Sequence, residues 1–89
     1  MRHEASVEEL LTEVAAWKPQ RIGEVHELSV PDLLTFRGER VAHDIAMAIL
    51  LDALLAKGLF PAGFGSEPGG RIYRYQFEGL GSGSESARS

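Results

Sequence analysis

The amino-acid sequence predicts an α+β domain in which three or four helices are followed by a C-terminal β-hairpin. Apolar residues recur at helical intervals after residue 6, and again through a long segment that ends at Gly58. Two strand-like segments near the C-terminus flank a loop rich in glycine and proline. The chain has 89 residues, enough for one domain with a thin core. We expect a disordered start at residues 1–6, the domain at 7–78 and a flexible Gly/Ser tail at 79–89.

The first helix is predicted to run from Val7 to Trp17. Ser6 and Glu9 have the spacing of a capping box, in which each side chain bonds the backbone N–H of the other residue. Pro19 follows the last apolar residue and ends the helix.

Two short helical segments are predicted next. Apolar residues recur every three positions over residues 22–28, which indicates a helical turn. Ser29 and Asp32 repeat the capping spacing and predict a brief helix over residues 30–36, ending at Gly38.

The longest helix is predicted from Glu39 to Lys57, with Gly58 as its C-terminal cap. Eleven of the twelve residues from Ile45 to Ala56 are apolar, so the segment has apolar side chains on every side. Such a helix is either enclosed by its own domain or lends one face to a partner. We therefore predict a protein interface at Met47, Leu50, Leu51 and Leu54.

Two strands are predicted over Leu59–Phe64 and Arg71–Phe77, joined by a loop of turn-forming residues. In the second strand Tyr73, Tyr75 and Phe77 share one face because side chains alternate between faces. We expect this aromatic face to pack on the long helix and Arg74 to face solvent.

The order of elements resembles a winged helix-turn-helix domain. The residues that carry the resemblance are Asp32–Leu34, the helix end Leu54–Leu59 and the strand Gly70–Tyr75. The resemblance covers about residues 7 to 77 and implies a small regulator that contacts DNA. In such a protein the hairpin is the wing, and the start of the long helix also contacts the duplex.

The charge distribution bears on this DNA hypothesis. The formal net charge is −4, which excludes binding to nucleic acid by bulk charge. Residues 1–32 hold seven acidic and three basic side chains, so the acidity is concentrated there. Phosphate attraction is local and is screened within about 10 Å, so a basic patch could still serve. We predict DNA contacts at Arg37, Arg40, Arg71 and Arg74.

Catalytic and metal chemistry find little support. The chain has no cysteine, which excludes a disulfide, a thiolate nucleophile and a cysteine zinc site. The adjacent pairs His43-Asp44 and His26-Glu27 lack the spacing of metal ligands. Asp44 and Asp52 are either a carboxylate pair for acid–base chemistry or the water-facing strip of the helix, and we favour the second interpretation. We predict no enzymatic activity and no cofactor.

The polar start and the shortness of the apolar segment at residues 45–56 predict a soluble, cytoplasmic protein without membrane contact, since a spanning helix needs about 20 apolar residues. Two function hypotheses follow. One is a dimeric winged-helix-like regulator that contacts double-stranded DNA. The alternative is an acidic protein-interaction module, an adaptor or inhibitor that uses the apolar helix. Convergence of the four arginines on one face would favour the regulator, and their separation would favour the module.

Overall fold

A computed structural model describes residues 4–79 of the chain. Within this range the protein has two helices and six strands, connected by short loops. In chain order the elements are β1 (Glu4–Ser6), α1 (Val7–Ala16), β2 (Val25–Pro31), β3 (Leu33–Phe36), β4 (Glu39–Arg40), α2 (His43–Ala56), β5 (Leu59–Glu67) and β6 (Gly70–Phe77).

The strands form two three-stranded sheets. The larger sheet is antiparallel and has the order β2-β6-β5. The smaller sheet has the order β1-β3-β4, with β1 parallel to β3. Both helices and both sheets contribute to one core, which contains the fully buried leucines Leu10, Leu28, Leu34, Leu50, Leu54 and Leu59. We call the side of the larger sheet that faces the helices its inner face.

The predicted winged-helix arrangement is wrong, although the protein does combine helices and strands. The segments predicted as short helices, residues 22–28 and 30–36, instead supply β2 and β3. In β2, Leu28 and Val30 are buried while Glu27 and Ser29 are exposed. This period of two is that of a half-buried strand, and it outweighs the three-residue spacing that indicated a helix.

A tight hairpin between β3 and β4 explains why the long helix starts later than predicted. Phe36 pairs with Glu39, so only two residues form the loop. Arg37 has φ 54° and Gly38 has φ 82°, the two positive values that a type I′ turn requires. Gly38 therefore turns a hairpin and does not end a helix. The helix α2 begins at His43, after β4.

The first helix is confirmed, together with its capping box. The Ser6 hydroxyl accepts a hydrogen bond from the Glu9 N–H at 3.1 Å, and the Glu9 carboxylate accepts one from the Ser6 N–H at 3.0 Å. At its other end, the Lys57 ammonium donates to the carbonyl oxygens of Val14 and Ala15, both at 2.9 Å, and to that of Trp17. A cation from the end of α2 thus adds a donor to the carbonyls at the end of α1, where the Val14 carbonyl also accepts the Trp17 N–H at 3.1 Å.

The two C-terminal strands are longer than predicted and pair as a hairpin through Pro68 and Gly69. Gly70 is buried where β6 meets β2, and a Cβ atom there would lie 2.3 Å from the carbonyl oxygen of Val30. Only glycine allows the strands to approach this closely.

Part of the predicted start, residues 4–6, forms β1 and pairs with β3. The rest of that start and nearly all of the predicted tail, residues 1–3 and 80–89, lie outside the described residues. Neither α1 nor α2 has the length and apolar character needed to cross a membrane.

Candidate functional site

The two arginines of β6 lie on opposite faces of the larger sheet. Arg74 is on the outer face, where its Nε donates to the Glu27 carboxylate at 3.0 Å. Arg71 is on the inner face, where its Nη1 donates to the Tyr73 hydroxyl at 3.1 Å. Their separation by three positions requires this, because side chains alternate along a strand.

The other two predicted DNA contacts belong to the smaller sheet. Arg37 occupies the β3–β4 turn, with its guanidinium carbon 5.3 Å from the centre of the Phe36 ring. The Arg37 backbone N–H donates to the Glu8 carboxylate at 2.7 Å. Arg40 is in β4, opposite Thr35. The four arginines therefore do not share one face.

The predicted interface residues of α2 divide into two strips. Leu50 and Leu54 are fully buried in the core. Met47 and Leu51 are only partly buried and lie further round the helix, about 60° and about 100° from Leu50. Leu55, which is 41% exposed, continues this second strip by one turn. Of the four predicted interface residues, only Met47 and Leu51 are exposed enough to contact another molecule.

The second strip forms one wall of a groove between α2 and the edge of the larger sheet. Its floor and opposite wall come from β5 and β6, and its volume is ≈ 370 Å³. We call it the α2–β5 groove. Its lining residues are His43, Asp44, Met47, Leu51, Pro61, Tyr73 and Tyr75.

An aromatic and cationic cluster stands at the rim of the α2–β5 groove. Phe64 is 62% exposed, and its ring centre lies 5.7 Å from that of Tyr73. The guanidinium carbon of Arg71 lies 5.8 Å from the centre of the Phe64 ring. Among residues 4–79, Arg71 has no carboxylate partner, in contrast to Arg74.

The Tyr73 hydroxyl lies between two nitrogen groups. It accepts a hydrogen bond from Arg71, and its oxygen lies 2.8 Å from Nε2 of His43, the first residue of α2. With His43 neutral and its proton on Nδ1, the Tyr73 hydroxyl donates to Nε2. These contacts join the start of α2 to β6 and hold the Tyr73 side chain in place at the rim of the groove.

Tyr75 closes the floor of the α2–β5 groove. Burial, and secondarily the neighbouring Tyr73, raises the pKa of Tyr75 to about 12. Its phenol is therefore neutral near pH 7 and adds no charge to the floor. The interior of the groove is mainly apolar, and its polar groups, His43, Asp44 and the Tyr73 hydroxyl, border the apolar part.

Within residues 4–79 no three histidine, aspartate or glutamate side chains are grouped to hold a metal ion. Asp44 and Asp52 are both exposed, and the Asp44 carboxylate accepts the N–H of Ile45 at 2.9 Å. His26 lies at the far end of β2, where its Nε2 is 2.7 Å from the Glu24 carboxylate.

Several parts of this groove were not predicted from the sequence. Pro61 and Phe64 were assigned only to a hairpin strand, and His43 was considered as a metal ligand and not as part of a groove. The alternation that places Tyr73 and Tyr75 on the inner face was a usable signal. The contact between His43 and Tyr73 joins residues 30 positions apart, and no local pattern indicates it.

Comparison of the chain with protein-family models, with curated proteins and with solved structures finds no match.

Proposed function

We propose that this protein is a protein-interaction module that binds a peptide segment of a partner protein in the α2–β5 groove. The observation that carries the proposal is the partly uncovered apolar strip of α2 in a groove whose other wall includes Tyr73, which packs against the exposed Phe64 ring. A single exposed apolar residue needs no explanation, but a continuous apolar groove with a polar rim is typical of a binding surface.

The placement of the charged side chains supports this proposal over DNA contact. A duplex needs several phosphate contacts on one surface, and Arg71 and Arg74 point to opposite sides of the sheet. Arg74 is already neutralised by Glu27. The formal net charge of −4 also opposes a polyanion. The cytoplasmic location expected from the sequence is part of the proposal.

Peptide selection on the purified protein tests the proposal. We would pan two phage libraries of random dodecapeptides, one with a blocked and one with a free C-terminus. The test variant is Leu51→Glu, which puts a carboxylate into the apolar strip. The matched control is Ile45→Glu, which makes the same change on the same helix at a residue that is 54% exposed and does not line the groove.

We expect the wild-type protein and Ile45→Glu to enrich the same peptides, and Leu51→Glu to lose them while its circular dichroism spectrum is retained. Enrichment of no peptide, or equal enrichment by all three proteins, would contradict the proposal. A fluorescence-anisotropy titration with a random-sequence DNA duplex at low salt gives the second arm. We expect no binding there, and binding that weakens in Arg71→Ala and Arg74→Ala would favour the regulator hypothesis.

A further inference from the structure

We infer that the α2–β5 groove binds its partner as an extended strand added to the open edge of β5, with a carboxylate of that strand held by Arg71. This inference rests on the proposed function and specifies the conformation and chemistry of the partner segment.

The open edge of β5 is the first observation. In the larger sheet β5 is terminal and pairs with β6 alone, so one edge of β5 has no partner strand among residues 4–79. An exposed edge offers unpaired backbone N–H and C=O groups to an added strand. Proteins commonly protect such edges with proline or a bulge. Here Pro61 and the irregularity between Pro61 and Gly63 protect only the first part of β5.

The unprotected part of β5 runs from Gly63 to Glu67 and has regular pairing with β6 throughout. Five residues of strand span about 16 Å. The side chains of an added strand would alternate between the two faces of the sheet, so every second one would lie on the inner face beside Phe64. Where the segment continues past Gly63 toward Pro61, its inner-face side chains would enter the groove lined by Met47 and Leu51. The partner segment should therefore carry apolar residues at alternate positions.

Charge complementarity indicates that the segment is acidic. The Arg71 guanidinium lies over the ring of Phe64, a residue of the edge strand, and has no carboxylate partner among the described residues. A carboxylate arriving at this edge would form a charge-assisted pair with it. Asp44 is on the opposite wall, on α2, so the carboxylate of the segment should lie at the β6 side of the groove.

A second copy of this chain does not supply that carboxylate. If two β5 edges paired antiparallel, the second β5 would place Phe64 and Ser66 on the inner face, while its Glu67 would lie on the outer face, where it accepts a hydrogen bond from Ser29. Arg71 of each copy would remain without a carboxylate, so an acidic partner segment is the better match.

The test uses the peptides that the selection enriches, resynthesised in pairs. In each pair one member carries its glutamate or aspartate, and the other carries glutamine or asparagine at that position. For peptides selected with a free C-terminus, the pair is the peptide with a C-terminal carboxylate and the same peptide with a C-terminal amide. This pair shows whether the carboxylate that binds is the terminal one or belongs to a side chain. Affinity is measured by fluorescence anisotropy for the wild-type protein, Arg71→Gln and the control Arg74→Gln. Amide hydrogen exchange is measured by NMR with and without peptide.

We expect the acidic member to bind at least tenfold more tightly to the wild-type protein and to Arg74→Gln, and this preference to disappear in Arg71→Gln. Amides at the open edge of residues 63–67 should exchange more slowly when peptide is bound. Groove-dependent binding with no acid preference, or with the peptide helical and the β5 amides unprotected, would overturn the inference and leave the proposed function standing. Failure to select any Leu51-dependent peptide would instead overturn the proposed function. A dimer seen by light scattering, formed through β5 and lost in Leu51→Glu, would replace the acidic peptide by a second copy.

Discussion

Leu50 and Leu51 are adjacent, identical residues that the structure assigns to different surfaces, and replacing each by alanine separates core from groove. Leu50 has no exposed surface, whereas Leu51 is only partly buried and lines the α2–β5 groove. Leucine and alanine are both good helix formers, so intrinsic helix propensity contributes little to either change.

The expected losses of unfolding free energy differ by about a factor of three. Truncation of a fully buried leucine costs about 2–5 kcal/mol, from lost transfer free energy and from the cavity left behind, and we expect about 3 kcal/mol for Leu50→Ala. Leu51 gives up roughly half as much buried surface and leaves an open groove in place of a cavity, so we expect about 1 kcal/mol for Leu51→Ala. For a domain of this size these losses lower Tm by about 12–24 °C and about 4–8 °C.

Urea unfolding, followed by the fluorescence of Trp17 and by far-UV circular dichroism, measures both losses. Trp17 is the only tryptophan and packs against the core, so its emission reports unfolding. Leu51→Ala should remain folded and lose peptide binding. Equal losses for the two variants, or a larger loss for Leu51→Ala, would refute the division of α2 into a core strip and a groove strip.

Three further predictions concern the parts of the fold that hold the groove in place. Lys57→Met should lower the unfolding free energy by about 2 kcal/mol in urea, because it removes a charged donor from the carbonyls at the end of α1. Lys18 is exposed, and Lys18→Met should change the unfolding free energy little in the same titration. Gly70→Ala should cost about 3 kcal/mol by thermal unfolding, since its Cβ would meet a β2 carbonyl oxygen at 2.3 Å, whereas Gly65→Ala, with no atom closer than 4.0 Å, should cost far less. The backbone N–H groups of Gln20 and Arg21, and to a smaller extent the His26 side chain, lower the pKa of Glu24 from 4.5 to about 2. The contribution of Glu24 to stability is therefore present above pH 4.5 and is lost as the pH falls toward 2. In Glu24→Gln the urea concentration at half-unfolding should depend less on pH across that range.

Local signals predicted the elements that depend on local interactions. The first helix was predicted from a capping box whose two hydrogen bonds involve residues three positions apart. The C-terminal strands were predicted from turn formers and alternation, and the aromatic inner face of β6 followed from the alternation alone.

Elements whose periodicity is ambiguous were predicted wrongly. The seven apolar residues over residues 22–36 fit both a helical spacing and a strand spacing. Only the packing of Leu28, Val30 and Leu34 in the core decides between them. The capping spacing of Ser29 and Asp32 was coincidental, because the Ser29 hydroxyl donates to Glu67 on the neighbouring hairpin at 2.5 Å.

The candidate site was predicted in part. The excess of apolar residues in α2 correctly indicated that more than one face carries leucine or methionine. It could not show which strip is buried, because apolar side chains on all sides leave no amphipathic direction. The open edge of β5 and the contact of Arg71 with Phe64 depend on strand order, which no local pattern specifies.

The most direct test of the α2–β5 groove is an NMR titration of the ¹⁵N-labelled protein with a peptide from the selection. We expect the largest amide shift changes in β5 from Gly63 to Glu67 and on the groove strip of α2 at Met47 and Leu51. Arg74, on the outer face of the sheet, should change little. Changes concentrated on the outer face or on the β3–β4 hairpin would contradict binding in this groove.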